Sequence, residues 1–220
     1  MLPRVLEPEV MDSLEEARDY DAMDHGEVNR RFVADFLRLR PNLDHVLDVG
    51  TGTAQIPLLL CQSTSAARVV AVDYARHMLN LADEHIREAG LGQRLFLQRA
   101  DAKKLPYADG AFSAVISNSI VHHLPEPRLA LTEMLRVLAP GGLLFIRDLM
   151  RPPDEGQVRH LVETYAAGAN PQQRNLFEAS LRAALTLEEI RGVIGELGLY
   201  GDAVQATSDR HWTLAAVRPF

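Results

Sequence analysis

The chain has 220 residues, 47% of them hydrophobic, and a formal charge of −7. That supports one sizeable core and argues against a second full domain. Net acidity without a block of Lys or Arg argues against a nucleic-acid partner, and a single cysteine, Cys61, excludes an internal disulfide and a Cys-based metal site.

The opening stretch "MLPRVLEPEV" has no long apolar segment, and no run comes near the roughly 18 apolar residues of a membrane span. A soluble cytoplasmic protein is expected. "SLEE" at Ser13 to Glu16 fits a capping box, so a helix should begin near Leu14. A second helix fits Glu27 to Arg40, with Val33, Phe36 and Leu37 on one face and Pro41 ending it.

The pattern then changes. Residues 44–50, 67–73, 94–100, 112–118 and 142–149 are short apolar runs rich in β-branched residues. The first, second, fourth and fifth lack clean alternation, as strands covered on both faces do. Cys61 falls in the apolar "PLLLCQ" run and is expected to be buried and structural. Met78, Ala82, Ile86 and Ala89 step along one helical face before Gly90; Leu131, Met134, Leu135 and Leu138 do so before "PGG". Alternating strands and helices predict a mostly parallel sheet flanked by helices.

After Leu149 the alternation breaks. A long helical region is interrupted by "GANP" at 168–171, and "TLEE" at 186–189 opens a further helix that closes at Gly198. The end reads as two strands around "SDR". The expected organisation is one domain over 1–220: a helical lid (1–41), a cofactor-binding core (42–150), an acceptor cap (151–185), and a last helix with a strand hairpin (186–220).

In an open α/β sheet the ligand sits beyond the carboxyl ends of the strands, where strand order reverses. "VLDVGTGTAQIPLLL" (46–60) puts a glycine loop at the end of the first sheet strand. Gly50 and Gly52 tolerate positive φ and present no side chain, so a ligand can touch backbone. Asp73, ending the next strand, suits a ribose diol. The third glycine of the dinucleotide fingerprint is missing, since Gln55 stands there. Asp48, two residues before the first glycine, would repel a pyrophosphate but suits an ammonium or sulfonium charge. The pattern points to a cationic nucleoside rather than NAD.

These motifs resemble the class I S-adenosylmethionine-dependent methyltransferases of the type 11 small-molecule group, which includes quinone-biosynthesis enzymes. "VLDVGTGTAQIP", "VVAVDYARHML", "RADAKKLPYADGAFSAVISNSIVHHL" and "LRVLAPGGLLFIRD" follow in the family's order over roughly residues 30 to 150. The resemblance implies a Rossmann-like, doubly wound, mostly parallel seven-stranded sheet with an antiparallel C-terminal strand. It also implies S-adenosylmethionine as methyl donor and S-adenosylhomocysteine as product. Asp48, Gly50, Thr51 and Gly52 would line the methionine part, with Asn118 near its ammonium. Asp73 would hold the ribose and Tyr74 would flank the adenine, Met78 of the same motif would be a further cofactor contact, and Asp101 with Ala102 would reach the adenine amino group. Tyr20 and Asp24 would belong to an N-terminal lid.

Methyl transfer to a good nucleophile needs alignment more than a base. His123 and His122, just after the fourth strand, are the candidates for proton removal or acceptor orientation. No metal is expected, because no acidic residue stands at ligand spacing from this pair. Arg151, Tyr165 and Arg174 are the side chains of interest in the cap. The expected partner is a small-molecule acceptor, with neither nucleic acid nor membrane. Competing readings are an RNA or protein methyltransferase on the same fold, a non-catalytic cofactor-binding module, and a nicotinamide-dependent reductase. The first lacks a basic patch and the "N/D-P-P-Y/F" signature, for "SNSI" stands in its place.

Overall fold

The computed structural model describes residues 2–7, 13–23 and 25–219. Asp24 lies outside the described residues. A seven-stranded sheet has the order β3-β2-β1-β4-β5-β7-β6. Its strands are β1 Val46–Val49, β2 Val69–Asp73, β3 Leu95–Arg99, β4 Phe112–Asn118, β5 Leu138–Leu149, β6 Val204–Ala206 and β7 His211–Val217. β1 pairs in parallel with both β2 and β4, β2 with β3, and β6 and β7 run antiparallel. All four β1 residues are buried, as expected for a strand covered on both faces. β3 is an edge strand, with Phe96 half exposed.

The helices are α1 Leu14–Asp21, α2 Gly26–Arg38, α3 Gln55–Ser63, α4 Arg76–Glu88, α5 Pro127–Val137, α6 Glu155–Tyr165, α7 Pro171–Ala183 and α8 Leu187–Glu196. The capping boxes at Ser13–Glu16 and Thr186–Glu189 form as read from the sequence. α2 is shorter than expected: it ends at Arg38, and Arg40 turns to φ 52°. Pro41 crowds the residue before it out of the right-handed helical region. Leu138, expected on a helical face, instead opens β5 directly after α5. Val137 and Leu138 are both fully buried, so no polar residue marks the junction in the sequence.

The chain resolves into two compact units. One holds the described residues of Val10–Asn118, Arg128–Ile146 and Ala215–Phe220. In its core Phe32 and Phe36 of α2 meet Phe145 of β5 at ring-centroid distances of 5.0 and 5.7 Å. Such pairs add about 0.5–1.5 kcal/mol each beyond the area they bury. Cys61 is buried here as a free thiol.

The other unit holds the described residues of Met1–Glu9, Ser119–Pro127 and Arg147–Leu214. Leu149, Val158, Leu161, Val162, Leu181 and Ala184 form its core. An N-terminal arm, residues 2–7, is bonded into it. Arg4 donates from Nε to the Ala183 carbonyl at 2.6 Å, and from Nη2 to the carbonyls of Leu124 and His122 at 2.9 and 3.1 Å. The Val5 amide donates to the Arg182 carbonyl. Among the described residues no helix is long and apolar enough to cross a membrane.

Candidate functional site

Strand order reverses between β1 and β4, both of which leave the sheet at their carboxyl ends in the same unit. The glycine loop follows β1. Gly50, Gly52 and Ala54 have φ of 74°, 55° and 62°. The two glycines were legible; Ala54, the cap of α3, was not, because alanine carries no signal for the left-handed region. Val72 at the end of β2 accepts the amides of Gly50 and Thr51 at 2.8 and 2.9 Å, which pins the loop to the neighbouring strand. The Asp73 carboxylate completes the clamp by accepting the Gly52 amide on Oδ2 at 2.8 Å and the Ala75 amide on Oδ1 at 2.9 Å.

One small cavity, about 20 Å³, gathers five of the expected residues: Tyr20, Asp48, Gly50, Thr51 and Asn118. That is room for about one water. Asn29, Thr53, Gln55 and Ile56 complete its wall. Asp48 is 2% exposed, and its Oδ2 has no hydrogen-bond partner. Burial pushes its carboxyl up to about 7, and the charge of Asp73 adds to this. The Thr51 hydroxyl beside it opposes the shift but falls outside hydrogen-bond geometry. Burial, with the charges of Asp73, Asp48 and Asp21, raises the Tyr20 phenol to about 12, so it stays a neutral donor. A buried carboxylate with an idle oxygen costs free energy unless a cation or donor completes it. The wall therefore fits a ligand bearing an ammonium group.

Gln55 has a role that the sequence did not reveal. Its amide accepts from Asn29 Nδ2 at 3.1 Å and donates to Asp21 Oδ1 at 3.2 Å. Asp21 also faces His85 Nε2 at 3.2 Å, and His85 Nδ1 meets the Thr53 carbonyl. The position where a dinucleotide fold would keep a glycine instead ties both N-terminal helices to the loop.

The remaining expected cofactor residues stand nearby in the chain but do not line this cavity. Tyr74 is half exposed, with the Arg99 guanidinium 5.0 Å from its ring centroid. Met78 is buried against Ala17, Ala75 and Tyr20, which packs α1 onto α4. Asp101 Oδ1 accepts its own turn's Lys103 amide at 2.9 Å, with Ala102 half-buried beside it.

His122 and His123 form a turn of 3₁₀-helix, Val121–His123, in the other unit. His122 is buried, and its Nδ1 lies 2.5 Å from Oδ1 of the fully buried Asp148. His123 is more exposed, and its Nδ1 lies 3.0 Å from Glu7 Oε1. Of the cap residues, Arg151 is buried, with Nη1 on the Ala184 carbonyl and Nη2 on Glu189, while its Nε has no partner. Tyr165 donates to Asp209 beneath the Arg210 guanidinium, and Arg174 lines a groove between α6 and α7.

A family model described as a methyltransferase domain matches residues 47–146. A demethylmenaquinone methyltransferase of Thermus thermophilus is 41% identical over 108 residues, covering 49% of this chain and 48% of that protein. A ubiquinone/menaquinone biosynthesis C-methyltransferase of Desulfotalea psychrophila is 34% identical over 125 residues, covering 57% and 49%. The chain thus spans about half the length of these relatives. A crystal structure of a SAM-dependent methyltransferase from Aquifex aeolicus shares the fold, with a TM-score of 0.65 at 18% identity over 94% of this chain and 98% of that one.

Proposed function

We propose that the chain is an S-adenosylmethionine-dependent methyltransferase acting on a small-molecule acceptor, a reading supported by the match of residues 47–146 to a methyltransferase-domain model. The observation that carries the reading is the idle, buried Oδ2 of Asp48, set among Gly50, Thr51 and Asn118. It suits the methionine ammonium, as Asp73 at the end of β2 suits the ribose diol. Asp101 and Ala102 are proposed for the adenine end.

Bound there, the cofactor supplies a methyl group on a sulfonium, whose leaving group is already good. The residues of the chain then have two tasks: to hold the donor and to exclude water. Orientation of this kind is worth about 7–11 kcal/mol. The reading requires no base from His122 or His123, whose ring nitrogens face Asp148 and Glu7. The buried free thiol Cys61 is compatible with a reducing, cytoplasmic setting.

The acceptor class is proposed from the relatives' names, so demethylated quinones head the screen, followed by phenols, thiols, amines and carboxylates. The test has two steps. S-adenosylhomocysteine should raise the melting temperature and NAD should not. Purified protein with S-adenosylmethionine should then release S-adenosylhomocysteine only when an acceptor is added. Stabilisation by NAD alone would sink the reading.

A further inference from the structure

We propose that Glu7, His122 and His123 form a binding site for a divalent transition-metal ion of the zinc class. The three residues offer a carboxylate oxygen and two imidazole nitrogens, all within 4.8 Å of one another. Glu7 Oε1 lies 3.5 Å from His122 Nε2 and 3.0 Å from His123 Nδ1. Metal bonds of about 2.0–2.1 Å at tetrahedral angles place ligand atoms roughly 3.3 Å apart. The two separations from Glu7 stand on either side of that value, and the two imidazole nitrogens lie within 4.8 Å of each other, so a bound ion would draw the rings together.

Three further observations point the same way. The buried His123 Nδ1 lies 3.0 Å from Glu7 Oε1, close enough for the imidazole to hold the carboxyl below its ordinary range, yet outside strict N–H···O geometry. His122 Nδ1 meets Asp148, which leaves Nε2 as the ring nitrogen facing Glu7 and open to a metal ion in place of a proton. A carboxylate behind a ligating histidine is the usual device for fixing its tautomer and orientation. Ser180 Oγ donates to both oxygens of Glu7, at 3.1 and 3.3 Å, and fixes the third ligand in turn.

The charges also match. Glu7 and Asp148 together supply two negative charges to a divalent ion; the Arg4 guanidinium, held on the backbone carbonyls of His122, Leu124 and Ala183, offsets part of them. Two imidazoles and one carboxylate suit zinc and its neighbours in the first row better than magnesium or calcium, and they leave a position for an outside ligand. The absence of an acidic residue near the histidine pair in sequence was the reason to expect no metal; the arm brings Glu7 to it from the far end of the unit.

The test is metal binding by the full chain after chelator treatment, with Co²⁺ as a visible probe and Zn²⁺ in calorimetry. Its readout stands whether or not the methylation proposal holds. Wild type should bind one equivalent with ligand-field absorption. Glu7→Gln and His123→Asn should each weaken binding at least tenfold, while His160→Ala, at an exposed histidine, should leave it unchanged. Thermal unfolding shows which variants are folded, and if His123→Asn is not, Glu7→Gln decides alone. No saturable one-to-one binding, or folded variants within threefold of wild type, would overturn the site.

Discussion

Gly52 and Asp73 are joined across two strand ends: the glycine amide donates to Oδ2 of the carboxylate at 2.8 Å. The residue proposed to read the ribose therefore also shapes the loop proposed to hold the methionine. Asp73→Ala should cost both functions. Charge-assisted bonds of this kind are worth about 1.5–3 kcal/mol. The expected result is a drop of one to two orders of magnitude in S-adenosylhomocysteine affinity by calorimetry, together with a lower melting temperature. Asp73→Asn should recover part of the stability and little of the affinity. Unchanged affinity in Asp73→Ala would remove the residue from the site.

Asp48 gives a pH prediction. Its folded-state pKa stands at about 7, above the ordinary 3.8, so the folded protein holds this proton more tightly than the unfolded chain. Its effect on stability is therefore nil below pH 3.8, grows more unfavourable as pH rises, and levels off above 7. The full cost is on the order of 4 kcal/mol. Ligand affinity runs the other way, since an ammonium needs the ionised carboxylate, and should rise with pH until about 7. Asp48→Asn should melt higher than wild type at pH 8 and bind the cofactor product far more weakly. A lower melting temperature together with undiminished binding would contradict both halves.

Gln55→Gly restores the third glycine of the dinucleotide fingerprint, and so separates two accounts of that position. It removes the bridge from Asn29 to Asp21. Faster hydrogen exchange in α1 and α2 and a lower melting temperature are expected, with no gain in NAD binding. A variant that acquires NAD affinity would mean that the glycine pattern, not the carboxylate of Asp48, sets ligand choice.

The two glycines of "PGG" do different work, and Gly142→Ala tests it. Gly141 needs its φ of 76°. Gly142 needs its missing side chain, because a Cβ there would lie 2.8 Å from the Ser113 carbonyl oxygen and 2.9 Å from that of Ala139. Backbone atoms in a sheet cannot yield as a flexible side chain does, and forcing extra bulk into a packed interior costs about 1–3 kcal/mol or more. Thermal melting should place Gly142→Ala among the most destabilised single variants; a shift of a degree or less would refute the steric account.

Much of this architecture was readable because it is written locally. β1, β2, β4 and β5 stand out as apolar runs too continuous for half-exposed strands, and Ser13 and Thr186 announce their helices within four residues. The glycine loop, Asp48 and Asp73 follow from the same short-range order. What stayed hidden depends on pairs far apart in the chain. Nothing around Gln55 suggests that it meets Asp21 and Asn29, nothing around His122 suggests Asp148, and nothing around His123 suggests Glu7. Ala54 and Leu138 were hidden for another reason: their residue types are common everywhere, and only the packing tells them where to bend or to change element.

The arm that carries Arg4 and Glu7 also sets an order in time. Arg4 and the carbonyl it meets on Ala183 are 179 residues apart. At about 5–20 residues per second, the ribosome adds Ala183 roughly ten to thirty-five seconds after Arg4. Throughout that interval the arm has no α7 to lie on, and Glu7 has no Ser180 to hold it. The histidine turn at 122–123 is made long before its carboxylate can be fixed in place. The first described residues to be synthesised are thus among the last to be secured, and metal supplied during synthesis would find the cluster complete only once Ala183 is free to fold.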